Sequence, residues 1–89
     1  MADSRLKPLP QVLARRMPGG TVLVHLESNR IFELNETGAR VWELIGEGLE
    51  RDQVVQCLVQ EFAVDATRAS TELDVLVADL EREGLLSTS

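Results

Sequence analysis

The sequence predicts an α+β domain: a three-stranded antiparallel meander followed by three helices. Three observations predict it. Residues 12–34 form short β-branched runs in period-two alternation, broken by turn residues. From residue 35 onward apolar side chains recur at three- and four-residue spacing, as in helices that pack by one face. The chain has 89 residues, 44% of them hydrophobic, enough for one core but not for a second.

The elements follow in order. Residues 1–11 are polar and contain Pro8 and Pro10. Proline fixes φ and pushes its predecessor toward extended geometry, so this stretch reads as a flexible or extended arm before a domain spanning 12–86. Residues 12–16 form a first strand, and Met17-Pro18-Gly19-Gly20 supplies a turn. In the second strand Val22, Val24 and Leu26 alternate with Thr21, Leu23 and His25. Ser28-Asn29 makes a tight reversal, because Asn tolerates positive φ. Residues 30–34 return as the third strand, with Phe32 and Leu34 on one face and Ile31 and Glu33 on the other.

Asn35 fits the N-cap of the first helix, with Leu34 and Ala39 as the two halves of a hydrophobic staple. Gly38 falls in the first turn, where glycine costs roughly 1 kcal/mol relative to alanine. Another element, such as the last helix, is expected to press on the backbone there. Val41, Trp42 and Ile45 point to the core, and Gly46 and Gly48 stop the helix. A second helix covers 51–62, with Val54, Val55, Leu58 and Phe62 on one stripe. Asp65 caps a third over 66–83, whose stripe is Ala69, Leu73, Leu76, Val77 and Leu80. Gly84 takes the left-handed position after it, and Leu85 touches Leu80 as a Schellman ending requires. The order is that of a winged helix-turn-helix-like unit.

Composition narrows the function. Nine Lys and Arg against fifteen Asp and Glu give a net charge of −6, which repels phosphate backbones. A winged-helix DNA-binding module would need a basic recognition helix, whereas the second helix carries only Arg51 and the third only Arg68 and Arg82. No nucleic-acid partner is expected. No apolar run approaches the roughly 20 residues that span a bilayer, and the first residues lack a signal-peptide core, so no membrane partner is expected and a cytoplasmic location is. A single cysteine, Cys57, fits a reducing compartment.

Catalytic chemistry is sparse. His25, the one histidine, sits in a strand pattern and reads as structural. Cys57 flanks an apolar stripe with no second histidine to activate it. No His/Cys cluster suits a metal, and no glycine-rich loop follows a strand as a phosphate site needs. The acids of the third helix lie on different sides of it. Neither catalysis nor a cofactor is expected. A generic interaction module of a larger complex, with the long apolar stripe as a dimer face, remains another reading.

The run VLVHLESNRIFELNETGARVWELI, with the ending LVADLEREGLL, resembles the PqqD family, also called RiPP recognition elements. The resemblance covers residues 12–86, and its most specific part is Leu-Asn-x-Thr-Gly-Ala-x-Val-Trp after a short strand. It implies a non-catalytic domain that binds the leader of a ribosomally made precursor peptide, adding it as a strand to the third strand against the third helix. The implied contacts are Arg30, Ile31, Phe32, Glu33 and Leu34 on the strand. On the helix they are Arg68, Ala69, Glu72, Leu73, Leu76, Val77 and Leu80. Arg30 and Arg68 would flank the groove and pair with acidic leader residues. The LN…GA stretch would hold the cleft open rather than touch the peptide.

The pyrroloquinoline quinone branch of the family usually has a Pro-Glu-Gly turn where this chain has Glu27-Ser28-Asn29. That turn and Trp42 look more like the stand-alone B-type proteins of lasso peptide pathways. The partners then implied are a transglutaminase-like cysteine protease that removes the leader, and a cyclase. A peptide chaperone in pyrroloquinoline quinone biosynthesis is the alternative.

Overall fold

The computed structural model describes residues 6–88. Its elements are β1 (Leu6–Pro8), β2 (Val12–Met17), β3 (Gly20–His25), β4 (Arg30–Asn35), α1 (Glu36–Gly46), α2 (Arg51–Phe62), α3 (Ala66–Arg82) and β5 (Leu86–Thr88). Strands β2, β3 and β4 form the expected antiparallel meander, in that spatial order, with the helices following. No described helix is long and apolar enough to cross a membrane.

Part of the extended arm has a partner that its composition does not announce. β1 pairs antiparallel with β5, Leu6 opposite Thr88 and Pro8 opposite Leu86. The Leu9 N–H donates to the Leu85 carbonyl at 3.1 Å and so continues the closure. Three-residue strands are too short to show a period, which is why sequence pattern misses both. Residues 1–5 of the arm lie outside the described residues.

One hairpin turn of the meander is tight and the other is wider. Pro18-Gly19 joins β2 to β3, with Gly19 at φ +85° where only glycine is free of strain. Between β3 and β4 the reversal takes the four residues from Leu26 to Asn29, because His25 pairs with Arg30. Asn29 adopts φ 59° and donates its N–H back to the His25 carbonyl at 2.8 Å. His25 is half-buried, and its Nδ1 accepts the Ser28 N–H at 3.3 Å. It holds this turn together.

Thr21 and Leu23 of β3 and Leu34 of β4 face the helices and are buried, Leu23 completely. Val41, Trp42, Leu44 and Ile45 of α1, Val54, Val55 and Leu58 of α2, and Ala69, Leu73 and Leu80 of α3 complete a single core with Leu85 and Leu86. Two Schellman endings terminate α1 and α3. Leu49 donates to the Leu44 carbonyl at 3.2 Å past Gly48, and Leu85 to the Leu80 carbonyl at 2.9 Å past Gly84.

Ion pairs tie the helices to one another at the surface. Arg40 of α1 makes a two-pronged contact with Glu61 of α2, Nε to Oε1 at 2.8 Å and Nη2 to Oε2 at 3.0 Å, and also reaches Glu43. These carboxylates raise the Arg40 pKa still further, and the Arg40 hydrogen bond lowers that of Glu61. Arg51 at the start of α2 reaches Asp74 and the Ser70 hydroxyl of α3.

Candidate functional site

The site begins with a strand edge. β4 pairs with β3 on one side only among the described elements. Antiparallel ladders alternate, so every second residue turns its N–H and C=O away from its neighbour. The phase follows from Leu26, whose N–H bonds to the Gln11 carbonyl on the β2 side. Even-numbered residues of β3 therefore face β2, and Thr21, Leu23 and His25 face β4. Their partners Leu34, Phe32 and Arg30 turn inward to β3, which leaves the backbone groups of Ile31 and Glu33 and the Asn35 N–H on the free edge. The tight approach of the Leu34 carbonyl to Gly20 agrees, since a Cβ at Gly20 would lie 1.9 Å from that oxygen.

Below this edge lies a cavity of about 260 Å³ between β4, the first turn of α1, the end of α2 and α3. Phe32 and Leu34 of β4, Val41 of α1, Leu58 and Phe62 of α2, and Leu73 and Leu76 of α3 supply its apolar walls. Its ionisable lining residues are Glu33 on the strand and Glu72 on α3, both carboxylates. An apolar trough beneath an open strand edge can hold an extended chain, through main-chain bonds on the edge and side-chain anchors in the trough.

Of the residues singled out from sequence, Phe32, Glu33, Leu34, Ala69, Glu72, Leu73 and Leu76 line this cavity. Arg30, Ile31, Arg68, Val77 and Leu80 do not. Leu80 is fully enclosed in the core, so its place on the contact stripe is corrected: the stripe is wider than the groove, and this part of it packs inward. Val77 is half-buried against the same core. Ile31 is exposed on the opposite face of the sheet. Arg30, expected with Arg68 to flank the groove, pairs with Glu83 at 2.9 Å, and Arg68 pairs with Glu72 at 3.0 Å.

Besides Leu34, three lining residues come from the stretch expected to hold the cleft open. Asn35, Thr37 and Gly38 form its end wall. The Asn35 side chain caps α1 by accepting the Gly38 N–H at 2.8 Å. What crowds Gly38 is local and not the last helix: a Cβ there would lie 3.3 Å from Leu34 Cδ2 and 3.4 Å from Asn35 Oδ1. The glycine keeps the cap and the Leu34 side chain together at the mouth of the cavity, and it was the one sequence signal that pointed here. Phe62 and Val64 were missed as well. They flank Ala63, which is left-handed at φ 54° and turns the chain from α2 into α3.

Cys57 is half-buried and does not line the cavity. Among the described residues no group of three or more His, Cys, Asp or Glu is placed to hold a metal.

Comparison with known proteins adds the following. A family described as coenzyme PQQ synthesis protein D (PqqD) matches residues 20–86. Among curated proteins none matches the chain. Two solved structures share the fold. One is TbiB1 in complex with the TbiA(beta) leader peptide, 27% identical, TM-score 0.86, covering 91% of this chain and 94% of that one. The other is a lasso peptide synthetase B1 complexed with the leader peptide, 25% identical, TM-score 0.86, covering 93% and 98%.

Proposed function

The chain belongs to the PqqD family, and from that premise we propose that it recognises the leader segment of a ribosomally made precursor peptide of the lasso type. The leader adds as a strand to the free edge of β4 and sets apolar side chains into the cavity against α3. The observation that carries this reading is the open edge of Ile31 and Glu33 directly above an apolar trough. The two similar structures, both leader-peptide complexes, support it. The domain itself catalyses nothing. It works in the cytoplasm, where the precursor is made, and presents the leader to a separate cysteine protease and then a cyclase.

The family's description favours a second reading, a peptide chaperone in pyrroloquinoline quinone biosynthesis. Calorimetric titration with the leader of each precursor type separates the two. Strand addition also has its own signature in amide exchange. Ile31, Glu33 and Asn35 have edge-facing N–H groups and should slow strongly on binding. Phe32 and Leu34 are already bonded to β3 and should change less. Protection confined to α2 would refute the docking mode.

A further inference from the structure

We infer that the peptide selected by this cleft carries a basic residue beside Glu33, two positions from an apolar residue beside Ile31, and that Glu33 sets this charge preference. The inference rests on the leader-binding reading and adds the chemistry of the peptide, which that reading leaves open.

A strand added to β4 continues the pleat, so its side chains alternate between the two sheet faces in step with those of β4. Those on the inner face lie beside Phe32 and Leu34 and enter the cavity. Those on the outer face lie beside Ile31 and Glu33, whichever way the added strand runs. Ile31 ends an apolar row across the sheet, in which Leu13 stands opposite Val24 and Val24 opposite Ile31. Another apolar side chain extends that row.

Glu33 differs from its surroundings. On the outer face it stands opposite Val22, and Arg15 lies beyond Val22. Two strand spacings separate that arginine from Glu33, about 10 Å, near the distance at which salt screens exposed charges. The neighbours of Glu33 along β4 on this face, Ile31 and Asn35, carry no charge. Among the described residues the Glu33 carboxylate takes part in no ion pair or hydrogen bond. Glu72, the other ionisable residue of the cavity lining, is shared with Arg68. An incoming cation on the outer face therefore finds a free carboxylate at Glu33, with Arg15 two strands away across that face. A cross-strand pair of opposite charge strengthens binding by about two- to fivefold, and a like pair weakens it by a similar factor. Lysine and glutamate at that one peptide position should thus differ by about tenfold.

The test is selection from a displayed library of random peptides about ten residues long, enough to cover one strand. Wild type and Glu33→Lys are used as targets, each first shown folded by circular dichroism. Glu33 is exposed, so the substitution leaves the core intact. Wild type should enrich Lys or Arg two positions from an apolar residue, and Glu33→Lys should enrich Asp or Glu there. Calorimetry on one enriched synthetic peptide should show the lysine-to-glutamate change costing about tenfold on wild type and reversing sign on Glu33→Lys. Enriched peptides that slow exchange at Ile31 and Glu33 without a cation excess would overturn the inference and leave leader binding standing. So would identical charge preferences on both proteins. A library yielding no peptide that slows those amides would overturn the leader-binding reading, and the inference with it.

Discussion

Gly20 and Gly38 are both glycines beside Leu34, yet they are required to different degrees. At Gly20 the neighbour is backbone, a carbonyl oxygen 1.9 Å from the site of a Cβ. Backbone in a paired strand cannot yield without breaking the ladder. Gly20→Ala is expected to cost about 1–3 kcal/mol or more, by forcing β3 and β4 apart. At Gly38 the nearest atom is the end of the Leu34 side chain at 3.3 Å, which can shift by a few tenths of an ångström. Alanine there also gains helix propensity of about 1 kcal/mol. Gly38→Ala should therefore leave stability within about 1 kcal/mol of wild type. Urea denaturation of the two variants decides, and equal losses would show that Gly38 is held by more than local crowding.

At the scale of the element, α3 presents one stripe with two duties. Leu73 is 1% exposed and Leu76 is half-buried, though both reach the cavity. Leu73→Asp places a carboxylate in the core without a partner and is expected to unfold the domain, so it cannot report on binding. Leu76→Asp leaves the charge near water. It should keep the helical circular dichroism signal and weaken leader binding by about tenfold or more, since burying one large apolar anchor is worth about 1.5–3 kcal/mol. A folded Leu76→Asp protein that bound leader normally would move the groove away from α3. Periodicity showed the stripe at once. It did not show which part of the stripe stays open, because that depends on where β4 and α2 stop covering it.

At the scale of the whole molecule, the contact between Arg40 and Glu61 joins the end of α2 to α1, far apart in sequence. The Arg40 hydrogen bond holds the Glu61 pKa below the ordinary glutamate value. A carboxylate depressed in the folded state binds fewer protons there than in the unfolded chain. Its contribution is therefore fully present above the unfolded pKa and is lost as pH falls through the folded one. The stability advantage of wild type over Glu61→Gln should be constant near neutrality and fade as pH drops below about 4. It should also shrink in high salt, because both side chains are partly exposed. An advantage that grew on acidification would show that Glu61 acts through something other than this pair.

The sequence by itself determined the order of the meander and the three helices, the caps at Asn35 and Asp65 and the helix stops, because each rests on local chemistry. Asn35 and Asp65 accept N–H bonds from residues three positions on, and Gly48 and Gly84 supply the left-handed φ that ends α1 and α3. The two walls of the cleft were legible too, since the resemblance pointed to β4 and α3. Only the tertiary structure decided which face of the sheet is inside. Val22 and Val24 of β3, with Leu26 just past it, are the more apolar set, yet the helices cover Thr21 and Leu23. Both sets alternate with period two, so pattern alone cannot choose between them. Register and the docking of α1 chose, and the choice left Ile31 and Glu33 on the outer face at a free edge. The β1–β5 closure, the carboxylates that occupy Arg30 and Arg68, and the end wall at Asn35, Thr37 and Gly38 were settled in the same way. Each is a meeting of segments distant in sequence or a matter of side-chain direction, and neither leaves a periodic trace in the chain.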